Sequence, residues 1–326
     1  MKQSLFNVGR WLLLPLVVLA PLADSVAQAY PAKIIRVINP NQPGGNSDVM
    51  FRLLAPKMGE ILGQSLVIDY RPGAGGNIGA EILAKSPPDG YTTMIASSSF
   101  LMNPALLKTL PFDTIKDFTP LGVITDLTTG LLVHPSLPVK TPRELIALAK
   151  KRNGDIFFSS SGQGAVGHLA GELLNSSAQI NMVHVPYKGA GPSVLALVSG
   201  HVQLSFVSVP AVVTYVDAGR LRMIAQCGSK RFQSLPDLPT MQEAGVPGFV
   251  ISSGYSFLGP AGLPQAVTDK LNAALAQTVR DPVIRKKLID MGADPIANTP
   301  QEHAAYIRSE VEKWQRVAKS AAIKPE

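Results

Sequence analysis

The most constraining feature of the sequence is a glycine-rich turn between an apolar run and a helical pattern. The apolar run, Ile34 to Ile38, is rich in the β-branched residues that strands favour. After the turn at Pro43-Gly44-Gly45, apolar residues recur at spacings of three and four, which predicts a helix. The free N–H groups at such a helix N-terminus favour an anion. Asn46, Ser47 or Asp48 could cap this helix, and Asp48 is then either only a capping carboxylate or also part of a binding loop.

The same succession of strand, polar loop and helix recurs along the chain. A second glycine-rich turn, Arg71 to Gly79, matches the dinucleotide pattern G-x-G-x-x-G only loosely because position 78 is Ile, so we expect no dinucleotide cofactor. Ser97 to Ser99 follow a third strand, and Ser160 to Gly164 follow a strand of the second half. Ligands of parallel sheets sit outside the carboxyl ends of the strands, where all these loops lie. Their convergence predicts a ligand site.

Strands that alternate with helices predict an α/β fold with parallel sheets. The repeated units form two groups joined by one long return, which predicts two lobes with a cleft between them. We assign residues 30–125 and 251–326 to the first lobe, and residues 126–250 to the second.

The N-terminal 29 residues have the pattern of an export signal. Lys2 and Arg10 form a basic region before an apolar core, residues 11–22, that is too short for an ordinary membrane span. Ala27-Gln28-Ala29 is a typical cleavage site, which predicts cleavage after Ala29 and a mature protein in the periplasm. An uncleaved membrane anchor is the alternative.

The composition limits the classes of partner. The chain has 30 basic and 23 acidic residues and a formal charge of +7, which would suit anionic ligands. The bases are scattered apart from Lys150 to Arg152 and Arg285 to Lys287, so we expect no nucleic acid partner. Cys227 is the only cysteine, which excludes an intramolecular disulfide.

The pattern of chemistry-bearing residues favours binding over catalysis. The five histidines lack metal-ligand spacing, so no metal is expected. His168 lies one helical turn after the serine-rich loop and is the only candidate base, although packing or capping is its more frequent role. A secreted hydrolase using Ser161 and His168 is a remote alternative, because no third group is apparent. We therefore expect no enzymatic activity and no cofactor.

Several motifs in fixed order resemble one family of receptors, and the match covers essentially all of Tyr30 to Lys324. The matching segments include Pro43-Gly44-Gly45 with Asp48, Arg71 to Gly79, Pro88 to Tyr91, Ser160-Ser161-Gly162, His168 to Glu172, His184 to Gly189, Ala218 to Arg222 and Pro260-Ala261-Gly262. These residues resemble the solute-binding proteins of tripartite tricarboxylate transporters, also known as Bordetella uptake gene (Bug) receptors. The resemblance implies a type II periplasmic binding protein fold, with two lobes and crossed hinge strands around a central cleft.

The resemblance also implies the function and the site. Such receptors close around a small organic acid and deliver it to membrane transport subunits. In relatives, a ligand carboxylate is held by the loop that matches Pro43 to Asp48 and by the loop that matches Ser160 to Gln163, with the position of Ser98 nearby. The candidate ligand-binding residues are Pro43, Gly44, Gly45, Asn46, Ser47, Asp48, Ser98, Ser160, Ser161, Gly162, Gln163, Tyr187 and Val207.

Two departures from the family pattern affect the expected ligand. Many relatives carry Asp where this chain has Val207, and Trp where it has Gly254. The acid could be a mono-, di- or tricarboxylate, and aromatic or amino-substituted acids also stay open. A ligand-sensing partner of a membrane signalling kinase is the alternative role, and a monomer is expected because no long exposed apolar stripe is evident.

Overall fold

The computed structural model describes residues 30–127, 129–251, 253–323 and 325. The predicted export signal, residues 1–29, lies outside the described residues. Within the described ranges, no helix combines the length and apolar character that a membrane crossing requires.

The chain folds as alternating strands and helices, in three stretches. The first stretch contains β1 (Ile35–Asn39), α1 (Asn46–Leu62), β2 (Leu66–Tyr70), a 3-10 turn (Ala74–Gly76), α2 (Asn77–Ala84), β3 (Thr92–Ser97), α3 (Ser98–Leu106) and β4 (Phe118–Leu127). The second contains β5 (Thr129–Val133), α4 (Pro142–Lys151), β6 (Phe157–Ser160), α5 (Val166–Ala178), β7 (Val183–Pro186), α6 (Ala190–Val198), β8 (Leu204–Ser208), a 3-10 turn (Val209–Ala211), α7 (Val213–Asp217) and β9 (Arg222–Gln226). The third contains β10 (Tyr255–Pro260), α8 (Gln265–Arg280), α9 (Pro282–Asp290), β11 (Ala293–Pro295) and α10 (Pro300–Ser320).

These strands form two separate sheets. The first has the order β11-β4-β10-β3-β1-β2, and the second has the order β7-β6-β8-β5-β9. The strands β2, β1 and β3 are parallel, as are β7, β6 and β8, whereas β10 and β5 pair antiparallel with their neighbours. The predicted α/β fold class is confirmed, and both sheets are mixed because the strand that follows each crossing between them runs antiparallel.

Two chain segments cross between the sheets and are bonded to each other. The first crossing lies between β4 and β5, and the second lies just before β10. The backbone N–H of Ser253 donates to Asp126 Oδ1 over 3.1 Å, and its hydroxyl donates to the Leu127 carbonyl over 3.2 Å. At Gly254 an added Cβ would lie 1.7 Å from the Thr125 carbonyl oxygen, so the crossing strands approach too closely for a side chain there. These contacts fix the position at which the chain passes between sheets.

The C-terminal helix α10 packs against the cores of both sheets. Its first turn is held by a capping box, in which the Glu302 N–H donates to Thr299 Oγ1 and the Thr299 N–H donates back to Glu302. Ile307 and Val311 belong to a buried cluster on the first sheet, whereas Trp314 belongs to the core of the second sheet. In addition to the two crossing segments, the packing of α10 on both cores therefore joins the two halves. The lobe boundaries given above stay a prediction.

Candidate functional site

The first candidate loop follows β1 and leads into α1. Gly44 has a φ of +81°, a conformation that favours glycine, and Gly45 is the extended N-cap residue of the helix. The expectation that Asn46, Ser47 or Asp48 is the N-cap is wrong, because the helix already begins at Asn46 and Gly45 supplies the cap without a side chain. Residues 43–46 are exposed. As at other helix N-termini, the N–H groups at the very start of α1 precede the regular hydrogen bonding of the helix, and the Asp48 N–H already donates to the Gly45 carbonyl over 2.9 Å.

Asp48 is buried and shapes this loop. Its carboxylate accepts from the Gly44 N–H over 2.8 Å, from Tyr70 over 2.6 Å and from Arg52 Nε over 2.8 Å. Burial raises the pKa of Asp48, but the hydrogen bonds from Tyr70, Gly44 and Arg52 outweigh burial and hold the pKa below its ordinary value. The charged carboxylate thus fixes the glycine turn from inside.

Ser47 supports the same loop through the end of β1. Its hydroxyl donates to Asn39 Oδ1 over 3.1 Å and accepts from Asn41 Nδ2 over 3.1 Å. Both Asn39 and Ser47 are buried. Neither Ser47 nor Asp48 therefore presents an open side chain, and what this loop offers to a ligand is mainly its backbone N–H groups.

The second candidate loop follows β6 and leads into α5. The Ser160 hydroxyl donates to the Gly162 carbonyl over 2.8 Å and accepts from the Gly162 N–H over 3.2 Å. The loop is tied to the next one, because the Tyr187 N–H donates to the Ser160 carbonyl and the Gly189 N–H donates to the Ser161 carbonyl, both over 3.0 Å. Gly162 has a φ of +148°. The side chains of Ser161 and Gln163 are exposed at the tip.

A cavity of about 290 Å³ lies where this second loop meets the first sheet. On one side it is lined by the tip of the loop after β6, and on the other by residues along the length of α3 and by the turn after β2. Its lining residues are Gly75, Ser99, Met102, Asn103, Leu106, Leu107, Ser161, Gly162, Gln163, Gly164, Ala165 and Ile323. None of these described residues carries a formal charge. A carboxylate in this cavity would be bound by N–H groups, hydroxyls and amides rather than by a cation.

The structure brings only part of the predicted site to the cavity. Ser161, Gly162 and Gln163 line it, whereas Ser98 is 8% exposed and directs its hydroxyl to the Gly254 carbonyl over 3.3 Å. Tyr187 and Val207 are half-buried and pack against an apolar cluster of the second sheet. The loop at residues 43–48 does not line this cavity either.

Several lining residues of the cavity were not among the residues predicted from the sequence. Asn103 is held by Asn77, to whose Oδ1 its amide donates over 2.7 Å, and lies one helical turn after Ser99 on α3. The serine run, residues 97–99, pointed to a hydroxyl at this place in the sequence. Which of the three serines is exposed depends on where α3 begins, and with a start at Ser98 the exposed one is Ser99. Gly75 belongs to the second glycine-rich turn, which was expected to converge on the ligand site but supplied none of the individually predicted contacts.

A larger open groove of about 870 Å³ runs along α1 and the edge strand β2. Arg52, Val67 and Tyr70 are among its lining residues. It lies at the outer edge of the first sheet, away from the second sheet, and no polar loop of the second sheet reaches it. The smaller cavity is the better candidate, because its described lining combines the loop after β6 with residues of the first half such as Gly75 and Ser99.

The structure does not bring Ser161 and His168 together as the catalytic pair of the hydrolase that was considered as an alternative. His168 Nδ1 accepts from the Gly164 N–H over 3.0 Å, so this ring nitrogen is occupied by the loop backbone. The serine that meets an imidazole is Ser160, whose Oγ is 2.6 Å from His184 Nε2, but Ser160 is only 2% exposed. Among the described residues, no group of three or more His, Cys, Asp or Glu side chains could hold a metal.

Comparisons with known proteins agree with the fold. Protein BugT of Bordetella pertussis (strain Tohama I) is 35% identical over 302 residues, which cover 91% of this chain and 92% of BugT. The solved structure of R. palustris Rpa4515 with adipate is 36% identical, with a TM-score of 0.74 over 91% of this chain and 100% of its own. MatC (Rpa3494) from Rhodopseudomonas palustris with bound malate is 29% identical, with a TM-score of 0.69 over 89% of this chain and 100% of its own.

The two mixed sheets and their crossing strands define the fold of a periplasmic binding protein. The model of the tripartite tricarboxylate transporter family receptor matches residues 50–323. This chain belongs to that family, as the ordered motifs of the sequence indicated.

Proposed function

We propose that this protein is an extracytoplasmic solute-binding receptor that captures a small organic carboxylate between its two sheets. The single observation that carries the proposal is the uncharged cavity at which the loop after β6 meets helix α3. Backbone N–H groups and hydroxyls bind a carboxylate without a buried cation, and exclusion of water strengthens those hydrogen bonds. The adipate and malate in the two solved relatives support this class of ligand.

The proposed contacts are the loop at residues 160–163, which lines the cavity, and the loop at residues 43–48, which does not line it in this structure and would have to reach the acid on closure. Gly44, Gly45 and Asn46 offer backbone groups at the start of α1, while Ser161 and Gln163 offer exposed polar side chains. Two lobes, residues 30–125 with 251–326 and residues 126–250, would close around the acid by movement at the two crossing segments. A ligand that contacts both lobes shifts the equilibrium towards the closed form by its differential affinity.

The closed form is then recognised by membrane transport subunits of a tripartite tricarboxylate transporter. Family membership supports this partner. The receptor would act in the periplasm as a monomer, after cleavage behind Ala29, and would release its acid chemically unchanged. A deletion strain should lose uptake of the bound acid. Normal uptake together with altered gene induction would instead favour the sensing role.

A thermal-shift screen of residues 30–326 tests the binding step. The panel contains acetate, succinate, adipate, malate, citrate, benzoate and glutamate. An acid present at one hundred times its dissociation constant adds about 2.7 kcal/mol to the folded state, which raises the melting temperature by several degrees. Trp314 is the only tryptophan in this range, so its fluorescence gives a second signal. No shift with any acid would refute the proposal.

A matched pair of variants tests the site. Ser161→Tyr places a bulky side chain at the cavity and should abolish the shift. Ser199→Tyr is the control, because Ser199 is exposed at the opposite end of α6. Equal affinity in the Ser161 variant and the unsubstituted protein would exclude this cavity. Mass spectrometry of the released acid checks that no turnover occurs.

A further inference from the structure

Two imidazole rings stack directly beneath the loop at residues 160–164. His168 on α5 and His184 on β7 have ring centroids 3.9 Å apart and planes inclined by 16°. Phe158 packs on the other side of His184, with ring centroids 5.0 Å apart. His168 is 4% exposed. His184 is half-buried. The pair therefore lies under the loop, and neither ring is exposed to the extent that Ser161 is.

Each ring binds a different end of the loop. The Gly164 N–H donates to His168 Nδ1 over 3.0 Å, and Ser160 Oγ lies 2.6 Å from His184 Nε2. Because the Ser160 hydroxyl already donates to the Gly162 carbonyl, it can only accept from His184. His184 therefore carries its proton on Nε2, and His168 carries its proton on Nε2 with Nδ1 free to accept. The bond at His168 requires a neutral imidazole, because Nδ1 must accept, whereas the Nε2–H of His184 donates to Ser160 whether or not that ring is protonated.

We infer that His168 and His184 are positioning residues that hold the 160–164 loop in its ligand-binding conformation, and that protonation of the stacked pair releases the loop. This inference rests on the proposed function, since it assigns these two side chains to the loop whose tip would bind the carboxylate. The two residues act through the backbone of Gly162 and Gly164 and through the Ser160 hydroxyl, and they do not contact the acid.

Protonation breaks the arrangement for two reasons. A proton on His168 Nδ1 would occupy the position to which the Gly164 N–H donates, so that hydrogen bond is lost. Two imidazolium rings whose centroids are 3.9 Å apart would also repel each other. Burial lowers the pKa of His168 to about 4, and burial together with the neighbouring His168 lowers the pKa of His184 to about 4. The loop should therefore be held at neutral pH and released near pH 4.

The other titratable groups around the pair do not change this expectation. On α5, Glu172 Oε1 lies 3.9 Å from His168 Nε2, and burial raises the pKa of Glu172. The adjacent strands β6 and β8 and helix α3 contain no titratable side chain. Helix α10 also packs on α5, but its buried Glu310 and Lys313 bond to each other, to Trp314 and to the Val250 carbonyl.

Substitutions at His168 separate the hydrogen bond from the packing. His168→Asn places an amide oxygen where Nδ1 accepts, whereas His168→Leu fills a similar volume and leaves the Gly164 N–H without a partner. Loss of one such buried hydrogen bond should weaken binding about ten- to hundredfold in the Leu variant. The Asn variant should bind like the unsubstituted protein. His201→Leu, at an exposed histidine, is the control.

Two readouts distinguish a failure of this inference from a failure of the proposed function. Hydrogen exchange of the peptide that covers residues 160–165, in protein without added acid, should be faster in the Leu variant than in the Asn variant. Affinity is measured for adipate, or for whichever panel acid binds most tightly. If no acid binds the unsubstituted protein, the proposed function fails. Faster exchange in the Leu variant than in the Asn variant would then still show that His168 holds the loop. Equal exchange and equal affinity in the Leu and Asn variants would overturn the inference.

A pH profile supplies a readout that a merely structural role would not change. The double variant His168→Asn with His184→Gln keeps both hydrogen bonds and titrates at neither position. Titration of the acid's own carboxyl groups affects both proteins equally and cancels in the comparison. Below pH 4, the approximate pKa of His168 and of His184, the affinity of the unsubstituted protein relative to that of the double variant should fall about tenfold per pH unit. The fall should be steeper if both rings protonate. Identical profiles, or a relative gain at low pH, would refute the release.

Discussion

Replacement of Trp314 with alanine tests how strongly α10 is tied to the second sheet. The indole is completely buried in the core of that sheet, and its Nε1–H donates to Glu310 Oε2 over 3.0 Å. Truncation of a buried tryptophan to alanine costs about 3–5 kcal/mol, since both the packed ring and the space it fills are lost. Because the whole folding free energy of a protein is about 5–15 kcal/mol, this one change should remove a large share of it.

Two further variants separate the contributions to this loss. Trp314→Phe keeps part of the ring packing but removes the N–H donor and some ring volume, so it should cost about 1–3 kcal/mol, less than the alanine variant. Gln315→Ala, at the exposed neighbouring position, should be nearly neutral. Urea unfolding of residues 30–326 followed by circular dichroism measures all three. A loss below about 1 kcal/mol in Trp314→Ala would show that α10 does not depend on the second core.

Three other changes have defined outcomes. Asp48→Asn removes the charged acceptor of the Gly44 N–H, so amide exchange at residues 43–46 should accelerate, and unchanged exchange would contradict the role given to Asp48. Gly254→Ala places a Cβ 1.7 Å from the Thr125 carbonyl oxygen, so the melting temperature should fall; an unaltered value would show that the crossing strands adapt. Burial lowers the pKa of His168 to about 4 and that of His303 to about 3, so both stay neutral in the folded state. The stability they contribute is complete above about pH 6.5 and is lost as the pH falls, down to about 4 for His168 and about 3 for His303, by up to about 1.4 kcal/mol per pH unit for each. Unfolding at several pH values measures this loss.

The local elements could be predicted from the sequence because their signals are local. The strand, glycine loop and helix at Ile35 to Leu62 are specified by β-branched residues, by Gly44 in a left-handed conformation and by a helical apolar pattern. The division of the strands into two groups followed from the order of these units along the chain. A further local signal is Thr141 followed by Pro142, since threonine favours the N-cap and proline the first helical position, and Thr141 caps α4.

The sequence does not show which element packs against the buried face of a given helix or strand. An apolar stripe on α10 shows that one face is covered, but it does not show that Val311 packs on the first core and Trp314 on the second. Strand direction is equally hidden, because a strand buried on both faces carries the same apolar run whether its neighbour is parallel or antiparallel. The stacking of His168 on His184 depends on the pairing of β6 with β7, which no local pattern encodes.

An uncharged cavity gives loop geometry a larger role in affinity than it would have beside an arginine. A cation attracts a carboxylate from several directions, whereas an N–H group contributes little once it points more than a few tens of degrees away from the oxygen. In the proposed receptor, selectivity would therefore depend on how rigidly the turns at residues 43–48 and 160–164 are held. Both turns are held from beneath, the first by the Asp48 carboxylate and the second by the paired imidazoles. Because both supports titrate below neutral pH, binding at an uncharged site should still show a strong dependence on acidity.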